Sequence, residues 1–417
     1  MKDCLVMLTK VYPFDKGEEF IEDEISFLAK SFNHIFLIAT STADNAQQTR
    51  TVPENVTVCR IAASSIRRRL PAAAVALLFS RNKHGFAGRD ERKAAVASPK
   101  AWAFLHYFIA KSELVFGECR KQLMANNLAQ YDGVTFYAYW FYDVAVAANQ
   151  LKKYCPVKSC KAVCRAHRYD LYQERQPSGY LPLRPYLLKD LDAVYPCSND
   201  GTAYILKHWP EGRGKVHTSY LGTHDYGLGP VPQKDVFHIV SCCHIAPVKR
   251  VELLAQALSL LQDSGIKLKW THIGDGDTLE SLRSFAKEHL AFMETDLRGA
   301  MPNKDLMSFY QTTPVNLFVN TSSSEGLPVS IIEAASFGIP AIATDVGGTG
   351  ELVRTGETGQ LLPADLTPEV LAKALQAAAG QPAEKAAAER AACRALWEKS
   401  FQADKNFEAF AQTIQPF

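Results

Sequence analysis

Two series of short apolar runs, each alternating with helical segments, restrict this chain to few folds. In the first series residues 4–8, 35–39, 134–137, 161–166 and 193–197 read as strands, and a helix is predicted over 19–30. In the second, strands are predicted over 236–242, 267–273, 315–319 and 339–343, with a helix over 251–261. Apolar runs of this kind suit strands buried on both faces, and helices between them imply parallel sheets. The Gly/Pro-rich stretch that follows Leu221-Gly222-Thr223-His224-Asp225-Tyr226-Gly227 and runs through Pro232 is the best linker candidate. A chain of 417 residues can support two cores, so the fold class expected is α/β with two doubly wound domains flanking a cleft. The domains predicted are 1–226 and 227–397. A last helix, about 398–417, is expected to return to the first domain through the pattern Trp397, Phe401, Phe407 and Phe410.

The richest stretch is Ser324-Glu325-Gly326-Leu327-Pro328-Val329-Ser330-Ile331-Ile332-Glu333, which follows a predicted strand. Pro328 suits a first helical turn, Gly338 the cap after the last, and Pro340 prevents continuation. Glu325 is therefore expected in the loop at a strand's carboxyl end, with Glu333 on the helix beyond. First-turn amides lie unpaired at the positive end of the helix dipole. Amides that can hold a phosphate, between carboxylates that can accept hydroxyl protons, make a candidate nucleotide-sugar site.

Composition narrows the partners. Formal net charge is only +2, which argues against nucleic acid as the main partner. Hydrophobic content of 47% and charged content of 22% are ordinary for a globular protein. Lys2 and Asp3 lead directly into a strand without the pattern of an export signal, so the ten scattered cysteines are expected as reduced thiols in the cytoplasm. No apolar run approaches the roughly 20 residues of a membrane-spanning helix. Residues 60–115 break the strand–helix rhythm. Arg67, Arg68 and Arg69 precede the apolar run 70–79, Arg81 and Lys83 follow, and 102–108 are aromatic-rich. This region reads either as a membrane-interface segment with basic residues near anionic headgroups, or as a buried insertion with a solvated basic edge.

Taken together, these motifs resemble the retaining glycosyltransferases of family four, which have the GT-B fold of two Rossmann-like domains. The glutamate pair Glu325 and Glu333 matches that family's spacing, and the match continues through Ile342-Ala343-Thr344-Asp345-Val346-Gly347-Gly348 and Glu351-Leu352-Val353. The N-terminal half adds Tyr12-Pro13-Phe14, Gly17-Glu18-Glu19-Phe20-Ile21, Tyr139-Trp140-Phe141 and Arg165-Ala166-His167-Arg168-Tyr169-Asp170-Leu171-Tyr172. The set is similar to bacterial members that build capsule, exopolysaccharide or lipopolysaccharide. The resemblance implies a retaining, metal-independent hexosyltransferase using a UDP- or GDP-sugar donor, with no further cofactor. Its acceptor would be a growing, lipid-linked glycan, at the inner face of the cytoplasmic membrane. It places the donor in the C-terminal domain and the acceptor in the N-terminal one, with closure excluding water.

Residue by residue, the resemblance implies that Glu325 contacts donor-sugar hydroxyls and Glu333 the ribose. The amides of Gly326, Leu327 and Val329, around Pro328, would face the sugar and diphosphate. Lys249 would hold the diphosphate, where a cation stabilises the charge that builds on the leaving group. His167 would orient the sugar or support an oxocarbenium ion, and Gly17 would let the first loop approach the donor. Many relatives carry Gly-Arg before that lysine, and this chain has Cys243-His244. Either His244 is charged in the complex, or Arg250 substitutes, or the contact is looser.

Other readings fit less well. The spacing of Cys155, Cys160, Cys164 and His167 does not match a zinc knuckle. Gly274-Asp275-Gly276 lacks the third glycine of a dinucleotide loop, with Leu279 in its place. A sugar-nucleotide epimerase on the same fold would lack the glutamate pair. The alternative in another class is a GT-B subunit that no longer transfers sugar and serves a membrane-associated assembly complex.

Overall fold

The computed structural model describes residues 2–15, 17–79, 91, 95, 98–124, 126–232 and 235–417. Two compact units emerge, Met1–Tyr220 with Lys405–Phe417, and Leu221–Asp404. The second unit begins six residues before the sequence-based boundary. Thr223 pairs with Gln402, its hydroxyl accepts from Trp397 Nε1 at 2.8 Å, and its amide donates to the Phe401 carbonyl at 3.0 Å. Those bonds keep Trp397 and Phe401 in the second unit, whereas Phe407 and Phe410 belong to the first.

The first unit holds six parallel strands: β1 (Asp3–Thr9), β2 (His34–Thr42), β3 (Val56–Ala62), β4 (Gly133–Ala138), β5 (Ser159–Ala166) and β6 (Ala193–Pro196). They lie in the order β3-β2-β1-β4-β5-β6. The second unit repeats the plan with β7 (Phe237–Cys242), β8 (Leu268–Ile273), β9 (Glu294–Leu297), β10 (Leu317–Asn320), β11 (Ala341–Thr344) and β12 (Gly359–Leu362). Their order is β12-β11-β10-β7-β8-β9. In each sheet the order reverses once, between β1 and β4 and between β7 and β10. Connections leave to opposite sides there, so a crevice opens at the carboxyl ends of the flanking strands. These are two Rossmann-like units, the GT-B architecture.

Burial explains the assignment. Residues 4–8 of β1 and the whole of β4 are buried, because helices cover both faces of each central strand. The C-terminal helix Ala403–Thr413 closes the first core: Phe410 lies over the Arg165 guanidinium at 3.8 Å, and Thr135 Oγ1 donates to the Ile414 carbonyl at 2.6 Å. Beneath it Arg165 Nε meets Glu24 Oε2 at 2.9 Å with both side chains fully buried, and Tyr137 donates its hydroxyl to Glu24 Oε1.

The irregular region becomes a helical insertion. Leu70–Phe79 and Pro99–Met124 are helices, and Arg69 pairs with Glu118 at 2.9 Å. On the longer helix Leu105 and Phe108 are buried, whereas Trp102 and Tyr107 are about two-fifths exposed. Arg81 and Lys83 lie outside the described residues. Among the described residues no helix is long and apolar enough to cross a membrane.

Candidate active site

In the second unit, the loops after β7 and β10 meet at the point where strand order reverses. Lys249 comes from the first loop and Glu325 from the second, and Lys249 Nζ lies 2.6 Å from Glu325 Oε1. Asn320, the last residue of β10, also donates to that oxygen, at 3.4 Å. The Glu325 side chain is 8% exposed and that of Lys249 23%, so the carboxylate is buried and the ammonium partly open to solvent.

Backbone bonds fix both loops. Ser323 N donates to the Val248 carbonyl at 2.8 Å, and Thr321 Oγ1 lies 2.9 Å from the Lys249 and Arg250 carbonyls. Gly347, at φ +54°, packs its backbone on the Glu325 loop; a Cβ there would meet the Glu325 carbonyl oxygen at 2.1 Å. Gly348 N donates to the Gly326 carbonyl at 2.7 Å. The Ile342–Gly348 stretch noted in the sequence thus buttresses the loop that carries Glu325.

The helix Val329–Ser336 starts directly after this loop, with Pro328 as its N-cap residue. Among the described residues the amides of Gly326, Leu327, Val329 and Ser330 have no intramolecular acceptor. Such amides at a helix N-terminus, beside a lysine, are suited to an anion. One turn along, Glu333 is buried and accepts from Asn303 Nδ2 at 2.7 Å. Asn303 stands thirty positions away at the start of the Asn303–Thr312 helix, and sequence reasoning missed it.

Arg250 has a structural role beside this site. At φ +51° it caps the Val251–Ser259 helix in the left-handed region. Its guanidinium donates to the Thr321, Ser322 and Ala364 carbonyls at 2.6, 3.2 and 3.0 Å. Three of its five N–H donors are thus engaged, two of them on the segment that leads into the Glu325 loop. His244 remains open: its side chain is 67% exposed, with Nδ1 3.4 Å from Asp275 Oδ1.

In the first unit, the corresponding crevice collects residues from the ends of β1, β4 and β5. Gly17 has φ +107° and donates to Glu19 Oε1 at 2.6 Å. The neighbouring Glu18 carboxylate was not anticipated. It accepts from the Lys10, Val11 and Tyr12 amides within 3.1 Å and from Trp140 Nε1, and so fixes the loop after β1. His167 follows β5 and packs on the rings of Tyr139 and Trp140 at 4.7 and 4.9 Å. Its Nε2 lies 3.1 Å from the Tyr139 carbonyl, which accepts a hydrogen bond from it and leaves Nδ1 for other contacts. Burial holds its pKa below the ordinary value and favours the neutral ring, with Asp170 partly opposing it. Asp170 itself, buried three residues on, accepts from His167 N and Phe141 N at 2.8 and 2.6 Å. The His-Arg-Tyr-Asp run carried that signal, since a loop aspartate often binds nearby amides.

The cysteine group set aside for metal is split by the fold: Cys164 is buried in β5, whereas Cys155 and Cys160 lie half-buried where the strand begins.

Residues 231–394 match the family model for glycosyl transferases group 1. An Escherichia coli K12 protein assigned to colanic acid biosynthesis, the glycosyltransferase WcaL, is 24% identical over 230 residues, 54% of this chain and 56% of that one. The Escherichia coli O-antigen biosynthesis glycosyltransferase WbnH is 36% identical over 107 residues, covering 25% of this chain and 28% of that one. The chain spans about half the length, or less, of the curated relatives it matches. Among solved structures, sucrose-phosphate synthase from Thermosynechococcus elongatus aligns over 99% of this chain and 98% of its own, with TM-score 0.70 and 16% identity. The lipopolysaccharide outer core galactosyltransferase WaaB aligns over 98% and 99%, with TM-score 0.63 and 14% identity.

Proposed function

We propose, from a chain whose residues 231–394 belong to the group 1 glycosyl transferases and whose units have the GT-B fold, that it transfers a hexosyl group from a UDP- or GDP-sugar to a lipid-linked surface glycan, with retention. The observation that carries this reading is the Lys249–Glu325 pair, 2.6 Å apart beside the open amides of a helix N-terminus. A diphosphate seated on those amides would draw Lys249 to itself. Glu325 would then be released to accept hydrogen bonds from the sugar hydroxyls, and Glu333, one turn on, would accept them from the ribose. As the glycosidic bond breaks, negative charge grows on the leaving diphosphate, where a fixed cation and dipole stabilise it most. Lysine and amides supply the compensating positive charge themselves, so the reading needs no metal or other cofactor.

The acceptor is assigned to the first unit, where neutral His167 would orient the sugar. Arg67, Arg68, Trp102 and Tyr107 are exposed on the insertion of that unit, and support a place at the inner surface of the cytoplasmic membrane.

Thermal stability against a panel of UDP, GDP and their sugars tests the donor site. A ligand at about 100 times its Kd should add roughly 2.7 kcal/mol of stability. The expected result is a clear shift with one nucleotide and its sugar; no shift with any of them sinks the reading. In the same assay His244→Arg is expected to tighten the preferred donor about 3–10-fold, because a permanently charged fork replaces an imidazole in front of a phosphate. Unchanged affinity would remove His244 from the donor site.

A further inference from the structure

At the carboxyl edge of the first sheet Lys10 follows the end of β1, half-buried. Its Nζ lies 4.2 Å from the ring centre of Tyr169, 4.7 Å from Trp140 and 5.4 Å from Tyr142. The rings belong to the loops after β4 and β5, so three adjacent strand ends build the arrangement. Aromatic faces attract the cation but leave a lysine's three N–H donors in want of acceptors. Among the described residues the ammonium has no hydrogen-bonded or ion-paired partner.

The carboxylates around it are engaged elsewhere. Glu18 is taken by three amides and the Trp140 indole, Asp170 by the Phe141 and His167 amides. Asp143, first residue of its helix, pairs with Lys111 at 2.7 Å. Lys10 is thus a preorganised cation in a crevice whose own carboxylates are hydrogen-bonded or ion-paired to other groups. Beside it Tyr169 is 43% exposed and offers an apolar ring on which a sugar can lie.

We propose that Lys10, with Tyr169 and Trp140, forms a subsite for an acidic sugar of the acceptor, a pyranose bearing a carboxylate or a phosphate. The ring would pack on the aromatic side chains and the anion would take the lysine donors. This deepens the transferase reading, on which its assignment to the acceptor rests.

The test is calorimetric titration of the full chain with methyl β-glucuronide, glucose 6-phosphate and methyl β-glucoside. At least one anionic sugar should bind about tenfold or more tighter than the neutral glucoside. Lys10→Gln should abolish that preference and Lys10→Arg retain it, which controls for folding. Preference for the glucuronide alone assigns a carboxylate, and for the phosphate alone a phosphate. Equal binding of all three, no binding, or a preference that survives Lys10→Gln overturns the proposal. The nucleotide panel separates the two readings. Nucleotide stabilisation without acidic-sugar binding leaves the transferase and removes the subsite, whereas acidic-sugar binding without any nucleotide effect does the reverse.

Discussion

Glu325→Ala is expected to slow sugar transfer by about 10²–10³-fold, or roughly 2.7–4 kcal/mol of transition-state stabilisation. The same change should cost folding no more than about 1 kcal/mol, since Lys249 is partly exposed and can turn to water once its partner is gone. Affinity for the nucleotide diphosphate should stay within about threefold, because the variant keeps the lysine and the helix amides and removes only contacts made to the sugar. Rate, affinity and stability thus separate. Steady-state kinetics, calorimetry with UDP and GDP, and a melting curve measure all three. A variant with full activity refutes the site, and one that simply unfolds makes Glu325 a structural residue.

The second large effect is on stability. Arg165→Met removes the partner of a carboxylate that is fully buried and strands Glu24 among apolar groups. Breaking such a pair costs about 3–5 kcal/mol, more than the new methionine contacts return. For a unit of this size that is a fall of roughly 6–20 °C in melting temperature. The loss should depend on pH in a definite direction. Burial already pushes the Glu24 carboxyl up in the wild type, against the opposing pull of Arg165 and the Tyr137 hydroxyl. Without Arg165 the folded-state pKa rises further above the unfolded value, so the folded protein takes up a proton more readily and gains stability as pH falls through that pKa. The deficit against wild type should therefore shrink in acid and be full at neutral pH. A deficit that does not vary with pH would mean that Glu24 is not left charged.

Why the sequence revealed some strands and hid others follows from where they lie. β1, β4, β7, β10 and β11 are covered on both faces and read as continuous apolar runs. β3, β9 and β12 are edge strands; β6, the fourth edge, is buried throughout and does present an apolar run. Of Val56–Ala62 only two residues are buried, and Glu294–Leu297 has none. Neither presents a run that stands out from a loop. The site behaved in the same way. Glu325, Glu333 and Lys249 could be placed because helix-start signals put them at strand ends in the local sequence. Asn303 on Glu333, the Gly347 buttress under Glu325 and the Arg250 carbonyl clamp are contacts across the fold. Arg250 shows the limit best: the local sequence shows a cation before a helix, and only the fold shows three of its donors bound to carbonyls.

The central claim is chemical, and proton NMR of the reaction tests it most directly. Donor chosen by the nucleotide panel is incubated with the protein, with and without the acidic glycosides as acceptors. The anomeric signals of the first sugar product are then followed. The account predicts release of nucleoside diphosphate and a first product with the same anomeric configuration as the donor, both lost in Glu325→Ala. A product of inverted configuration, or a bound donor that is never cleaved, would contradict it.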